Sequence, residues 1–147
     1  MNVAKNSSAI RVSNAVAAGT TTVNSGEIDM QNYESCVITF AFGAITAGAV
    51  TSVKAQQSSD DAVGDAYADL TGTSITVADD DDNKIVELEI VNPRERYVRG
   101  VISRATQNAV VDGIFVQRFG AKKLPAVDDS ATVVASETHV SPAEGTA

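Results

Sequence analysis

From Val86 to Ile90, aliphatic Val86, Leu88 and Ile90 alternate with Glu87 and Glu89. This two-residue period places the aliphatic side chains on one face of a strand and the carboxylates on the other. Asn92-Pro93 ends the run, because proline has no amide hydrogen and turns the preceding residue away from helix. A second β-rich run, Tyr97 to Ile102, follows with Arg99 at an outward position. The pattern predicts two neighbouring antiparallel strands joined by a turn.

The same reading carries along the rest of the chain. Ala9–Val12 predicts a first strand, and residues 16–23 a bend followed by a second, with a turn at Asn24-Ser25-Gly26. In Cys36–Phe42, Ile38, Phe40 and Phe42 oppose Val37, Thr39 and Ala41, so both faces are apolar and the strand belongs inside a sheet. Residues 49–56 read as another strand. Ser58 to Thr73 is turn-rich, with a short strand near Tyr67 or one helical turn as alternatives. Ser74–Val77 forms a strand, Asp79–Asn83 a hairpin loop, and Asn108–Phe119 a long final strand with a bulge at Gly113. About eight short strands without an amphipathic helix predict an all-β fold, an antiparallel β-sandwich or jelly roll. The domain spans residues 1–120. Residues 121–147 hold two prolines and no Phe, Tyr or Ile, and form an extended C-terminal arm.

Composition narrows this picture. The 147 residues suffice for one domain, and with 5% aromatic residues the apolar content is mostly Ala and Val. A net charge of -8 argues against nucleic acid as a partner. The charge is uneven. Ser58 to Glu89 carries ten acids against Lys84, whereas Arg94 to Lys123 carries seven bases against two acids. Such a bipolar chain can pair acidic loop to basic strand between copies; alternatively Arg94, Arg96, Arg99 and Arg104 pair with Glu87, Glu89 and Glu95 within one sheet. The single cysteine, Cys36, lies in an apolar run and reads as a buried hydrophobe. The first residues lack a secretory h-region, and no span approaches about 18 apolar residues, so the expectation is cytoplasmic synthesis and no membrane partner.

Catalytic chemistry is poorly supplied. His139, the one histidine, lies in the arm, and the chain has no G-x-S-x-G elbow, P-loop or cysteine–histidine spacing, so no enzyme and no cofactor is expected. Asp79, Asp80, Asp81 and Asp82 are the candidate metal ligands, calcium being the cation that several oxygens suit, but four adjacent aspartates in a hairpin also repel one another into solvent.

The run Q-Q-S-S-D-D-A-V-G-D-A-Y-A-D-L-T-G-T from Gln56, V-A-D-D-D-D-N-K, P-R-E-R-Y-V-R and F-G-A-K-K-L-P together resemble the small β-sandwich virion proteins of tailed bacteriophages, over roughly residues 9–125. The greatest similarity is to capsid decoration, or cement, proteins. The resemblance implies a non-enzymatic protein that binds the major capsid protein on the outside of an expanded capsid, often as a homotrimer, and stabilises the lattice. Arg94, Arg96, Arg99, Lys122, Lys123 and the arm are then the candidate interface. A tail, neck or collar position is the alternative within the virion. A carbohydrate-binding module is the alternative of another class, for which Tyr33, Tyr67 and Tyr97 would have to form an aromatic strip.

Overall fold

A computed structural model describes residues 2–141 and 143–146. One helical turn, α1 (Val3–Asn6), is capped by the Asn2 side chain, which accepts from the Lys5 amide. Eleven strand segments follow: β1 (Ser7–Ser13), β2 (Val16–Gly19), β3 (Val23–Asn24), β4 (Ile28–Asp29), β5 (Ser35–Ile45), β6 (Val50–Ser58), β7 (Ala68–Asp69), β8 (Ile75–Val77), β9 (Ile85–Val91), β10 (Tyr97–Ala105) and β11 (Ala109–Phe119).

They fill eight strand positions in two antiparallel sheets. The first sheet runs β1/β2, β11, β5, β9, and the second runs β3/β4, β10, β6, β7/β8. Three positions are each made of two short segments in succession along one neighbour. The pairings are nested, β1/β2 with β11, β3/β4 with β10, β5 with β9 and β6 with β7/β8, and successive pairs alternate between the sheets. This is the winding of a jelly roll.

The alternating pattern sets the faces. On β5, Cys36, Ile38, Phe40 and Phe42 are buried between the sheets. They meet Val98 and Ile102 of β10, Val53 and Ala55 of β6, and Ile114 and Val116 of β11 in one continuous core. Strand β5 lies between β11 and β9, inside its sheet, as its two apolar faces predict. A Cβ on Gly100 would come within 2.7 Å of the fully buried Phe40 ring, so glycine lets the ring fill the space between the sheets. The register shift between Val111 and Gly113 is a bulge in β11 against β5.

One expectation is corrected. Strands β9 and β10 are not neighbours: β9 pairs with β5, and β10 pairs with β6, β3 and β4 in the other sheet. Alternation fixes which side chains point inward but not which strand lies alongside. The linker at residues 92–96 spans the roughly 10 Å between packed sheets, entered through Asn92 in a left-handed conformation.

Two arginines point inward and close opposite ends of the sandwich. Arg104 of β10 is 5% exposed and donates to the carbonyls of Thr21 at 2.8 Å, Ala17 at 3.0 Å and Ala109 at 2.6 Å. It thereby ties the second sheet to β2 and β11 of the first. Arg118 of β11 donates to the Asp29 carbonyl and the Ser8 hydroxyl and stacks 4.1 Å from the Tyr33 ring centroid.

Candidate interaction surface

The predicted cationic residues separate into groups. Arg94 and Arg96, from the β9–β10 linker, and Lys122, from the root of the arm, line one open cleft of about 470 Å³ with Met30, Tyr33, Glu34, Pro93 and Glu95. The Lys122 amide donates to the Asn32 carbonyl, which holds the arm's root against the β4–β5 loop. Lys123 lies in the adjoining cleft, beside Asn32 and Tyr33. Arg99 stands apart on the outer face of the second sheet, hydrogen-bonded to Gln56 and stacked 4.1 Å from the Tyr67 ring centroid.

Arg96 forms a two-point ion pair with Asp29, at 3.0 and 2.7 Å. The Arg96 hydrogen bonds hold the Asp29 carboxyl below its ordinary pKa, against the opposing effect of partial burial. Among the described residues Arg94, Lys122 and Lys123 make no ion pair, so their charges are open to a partner. The alternative pairing of Arg94, Arg96, Arg99 and Arg104 with Glu87, Glu89 and Glu95 within one sheet does not form among the described residues. Arg96 takes Asp29, Arg99 takes Gln56, and Arg104 takes backbone carbonyls.

The aspartate hairpin between β8 and β9 is directed at backbone. Asp79 accepts from the Gly48 amide, Asp82 from the Ile45 amide, and Asp81 from the Ala78 amide and the Lys84 ammonium. Asp79 and Asp82 thus fasten this loop to the β5–β6 turn, while Asp80 is exposed. Among the described residues, no three His, Cys, Asp or Glu side chains converge as a metal site. The second acidic loop closes on itself, with Asp60 accepting from the amides of Val63, Gly64 and Asp65.

The aromatic residues are spoken for. Tyr33, Tyr67 and Tyr97 each carry an arginine over the ring, Arg118, Arg99 and Arg96, at 4.1 to 4.9 Å from the centroid. They occupy three separate places: the β4–β5 loop, the β6–β7 loop and the start of β10. The three tyrosines therefore do not line up as one strip.

The sheet edges, which sequence reasoning did not single out, differ sharply from one another. The second sheet ends in β3/β4 and β7/β8, all two or three residues long. Short edge strands give little template for pairing. The first sheet ends in β1, whose open side is covered by the arm. The Ala126 amide donates to the Lys5 carbonyl at 2.9 Å, and the Asp129 amide to the Ala9 carbonyl at 3.3 Å. In return Asp128 accepts from the Ala9 amide and Thr132 from the Arg11 amide.

The other end of the first sheet, β9, is uncovered among the described residues. Hydrogen bonds from the Phe42 amide to the Lys84 carbonyl and from the Asn92 amide to the Glu34 carbonyl continue its ladder with β5 at both ends. Even-numbered residues of β9 therefore bond to β5, and Ile85, Glu87, Glu89 and Val91 turn their N–H and C=O groups outward.

No protein-family model matches the chain, and no curated protein matches it.

Proposed function

We propose that this chain is a non-enzymatic structural protein of a tailed-bacteriophage virion, made in the host cytoplasm, that binds the outer capsid surface and stabilises the lattice. Its partner is the major capsid protein at junctions between subunits, and its working form is a homo-oligomer, with a trimer favoured. The observation that carries this reading is the arm. Beyond Thr132 it leaves Val134 and Val140 fully in water, 103% and 94% exposed, and Leu124 and Val127 are exposed nearer its root. Apolar side chains on an extended segment gain by burial against another protein, at roughly 1.5 kcal/mol or more for a full valine.

The cleft at the arm's root supports the same reading. Arg94, Lys122 and neighbouring Lys123 offer positive charge on a chain whose net charge is -8, which suits docking on an acidic junction between other subunits. A jelly roll closed at both ends by arginines provides the rigid body that carries arm and cleft.

The test is to mix purified protein with expanded capsids lacking it and count copies bound by pelleting. Saturation at hundreds of copies per capsid, with better resistance of the capsid to heat, is the expected result. Saturation at a dozen or fewer would place the protein in the tail, neck or collar. No binding to capsids or tails, together with binding on a glycan array, would turn the reading to carbohydrate.

A further inference from the structure

We infer that the uncovered edge of β9 receives residues 134–140 of the arm of a second copy, adding a strand to the first sheet and joining copies head to tail. This deepens the proposed function by naming the contact between copies.

The edge needs a strand of seven residues. Among the described residues it presents four unpaired N–H and four unpaired C=O groups, at Ile85, Glu87, Glu89 and Val91, on one continuous strand. The side chains of the same four residues lie on the outer face of the sheet, with Ile85 and Val91 59% and 61% exposed. The acceptor pattern along the edge is therefore apolar, acidic, acidic, apolar.

The arm carries the matching pattern. Val134, Ser136, Thr138 and Val140 recur at the two-residue period of a strand as apolar, hydroxyl, hydroxyl, apolar. Paired antiparallel, Val140 falls opposite Ile85, Thr138 opposite Glu87, Ser136 opposite Glu89 and Val134 opposite Val91. Each apolar end buries against another, and each hydroxyl can donate to a carboxylate directly across the ladder. Ala135, Glu137 and His139 fall on the other side, at the open rim of the sandwich. The segment is rich in β-branched residues yet occupies no strand, and the hydrogen bond that ties it to the body, Thr138 to Asn2, is long at 3.4 Å.

Geometry decides between the chain's own arm and a second copy's. Residues 126–132 lie outside β1, and the new strand would lie outside β9. With four strands between them, the two positions are five spacings apart, about 24 Å. Two residues beyond Thr132 span about 7 Å. Val134 therefore cannot reach its own β9 while the arm stays fastened to β1, and the donor is another chain. Pairing of β9 with β9 of a second copy is disfavoured, because antiparallel register sets Glu87 against Glu89. The contact joins two different surfaces, so repetition gives a closed ring or an open chain.

The experiment mixes full-length Glu87→Cys protein with full-length Thr138→Cys protein under mild oxidation, in concentrated solution and on capsids. Directly opposed Cβ atoms about 5 Å apart fall near disulfide reach, and native Cys36 is fully buried. The expected result is a mixed dimer that neither variant forms alone. Absence of that product in both settings, or closure within one chain that carries both cysteines, would overturn the inference. A second variant, Val134→Asp with Val140→Asp, should self-associate about a hundredfold more weakly, the loss expected for two buried valines, at an unchanged melting temperature. Undiminished self-association would also overturn it. Capsid pelleting is read separately. Cross-linking without capsid binding would retire the capsid reading alone, and capsid binding without cross-linking would retire this contact alone.

Discussion

Replacing Arg104 with methionine keeps most of the aliphatic stem and removes the guanidinium that closes one end of the sandwich. Three carbonyls then lose their donor, those of Ala17, Thr21 and Ala109. Ala17 and Thr21 are exposed residues, and their carbonyls can turn to water at a cost of about half a typical hydrogen bond each. Ala109 is fully buried but also pairs with Gly19 across the β2–β11 ladder, so its carbonyl faces part of a desolvation penalty of about 1–3 kcal/mol. Part of this is offset because a charge no longer has to be held out of water, a burial that lowers the Arg104 pKa. The net expectation is a loss of about 1.5–3 kcal/mol, or a melting temperature lower by about 4–12 °C for a domain of this size. Urea denaturation followed by circular dichroism measures it, with the midpoint shifted and the slope unchanged. Arg104→Lys provides the discriminating comparison. Among the described residues no carboxylate forms an ion pair with Arg104, so the site uses a fork of donors rather than a charge. Lysine, more strongly hydrated and without the fork, should do no better than methionine. A methionine variant within about 1 kcal/mol of the original, or full rescue by lysine, would refute the reasoning.

Two further outcomes follow from the core. Gly100→Ala should cost about 1–3 kcal/mol, because the new Cβ meets Phe40 at 2.7 Å and Ile38 at 3.2 Å, both fully buried, and Phe40→Leu in the same chain should recover part of it; a neutral Gly100→Ala in the same urea assay would show that the sheets can part there. Burial pushes the Cys36 thiol up to about 12 from its ordinary 9.0, so it should resist a thiol reagent at pH 8 until the protein unfolds, and rapid labelling of the folded protein would contradict its placement. The folded state then keeps a proton that the unfolded state releases. This group costs nothing below about pH 8.5, and stability falls as pH rises from there towards 12, by up to about 1.4 kcal/mol per pH unit.

Side-chain parity was the most legible layer of this fold. Strand β5 announces an internal position through apolar residues of both parities, and it lies between β11 and β9. Parity would also have found the two end-closing arginines. Arg104 shares its parity with the buried Val98 and Ile102, and the half-buried Arg118 with the buried Ile114 and Val116. Reading arginine as an outward residue by type overrode that signal, although a long stem with five donors can satisfy carbonyls at the end of a sandwich. Strand partners were not legible in the same way. The β9–β10 linker reads like a tight turn, and nothing in its residues tells a turn within one sheet from a crossing between two.

The candidate surfaces were legible in kind and not in arrangement, for a physical reason that the charged loops make plain. An aspartate near a turn has two competing uses, ligating a cation with other carboxylates or accepting from an amide. Which one prevails depends on what lies opposite. The β5–β6 turn brings the amides of Ile45 and Gly48 to Asp82 and Asp79, residues more than thirty positions away. Each amide that captures a carboxylate removes it from any shared cage, and the hairpin becomes a fastening between two loops. The cations show the opposite case. Arg96 finds Asp29 across the strand ladder, at a separation of 67 residues, and is neutralised, whereas Arg94, two residues earlier, has no such partner among the described residues. Charge left over after the chain has satisfied itself is what a partner can use. That remainder, Arg94, Lys122 and Lys123 beside the root of an arm with exposed valines, could be identified once the long-range pairs had been drawn.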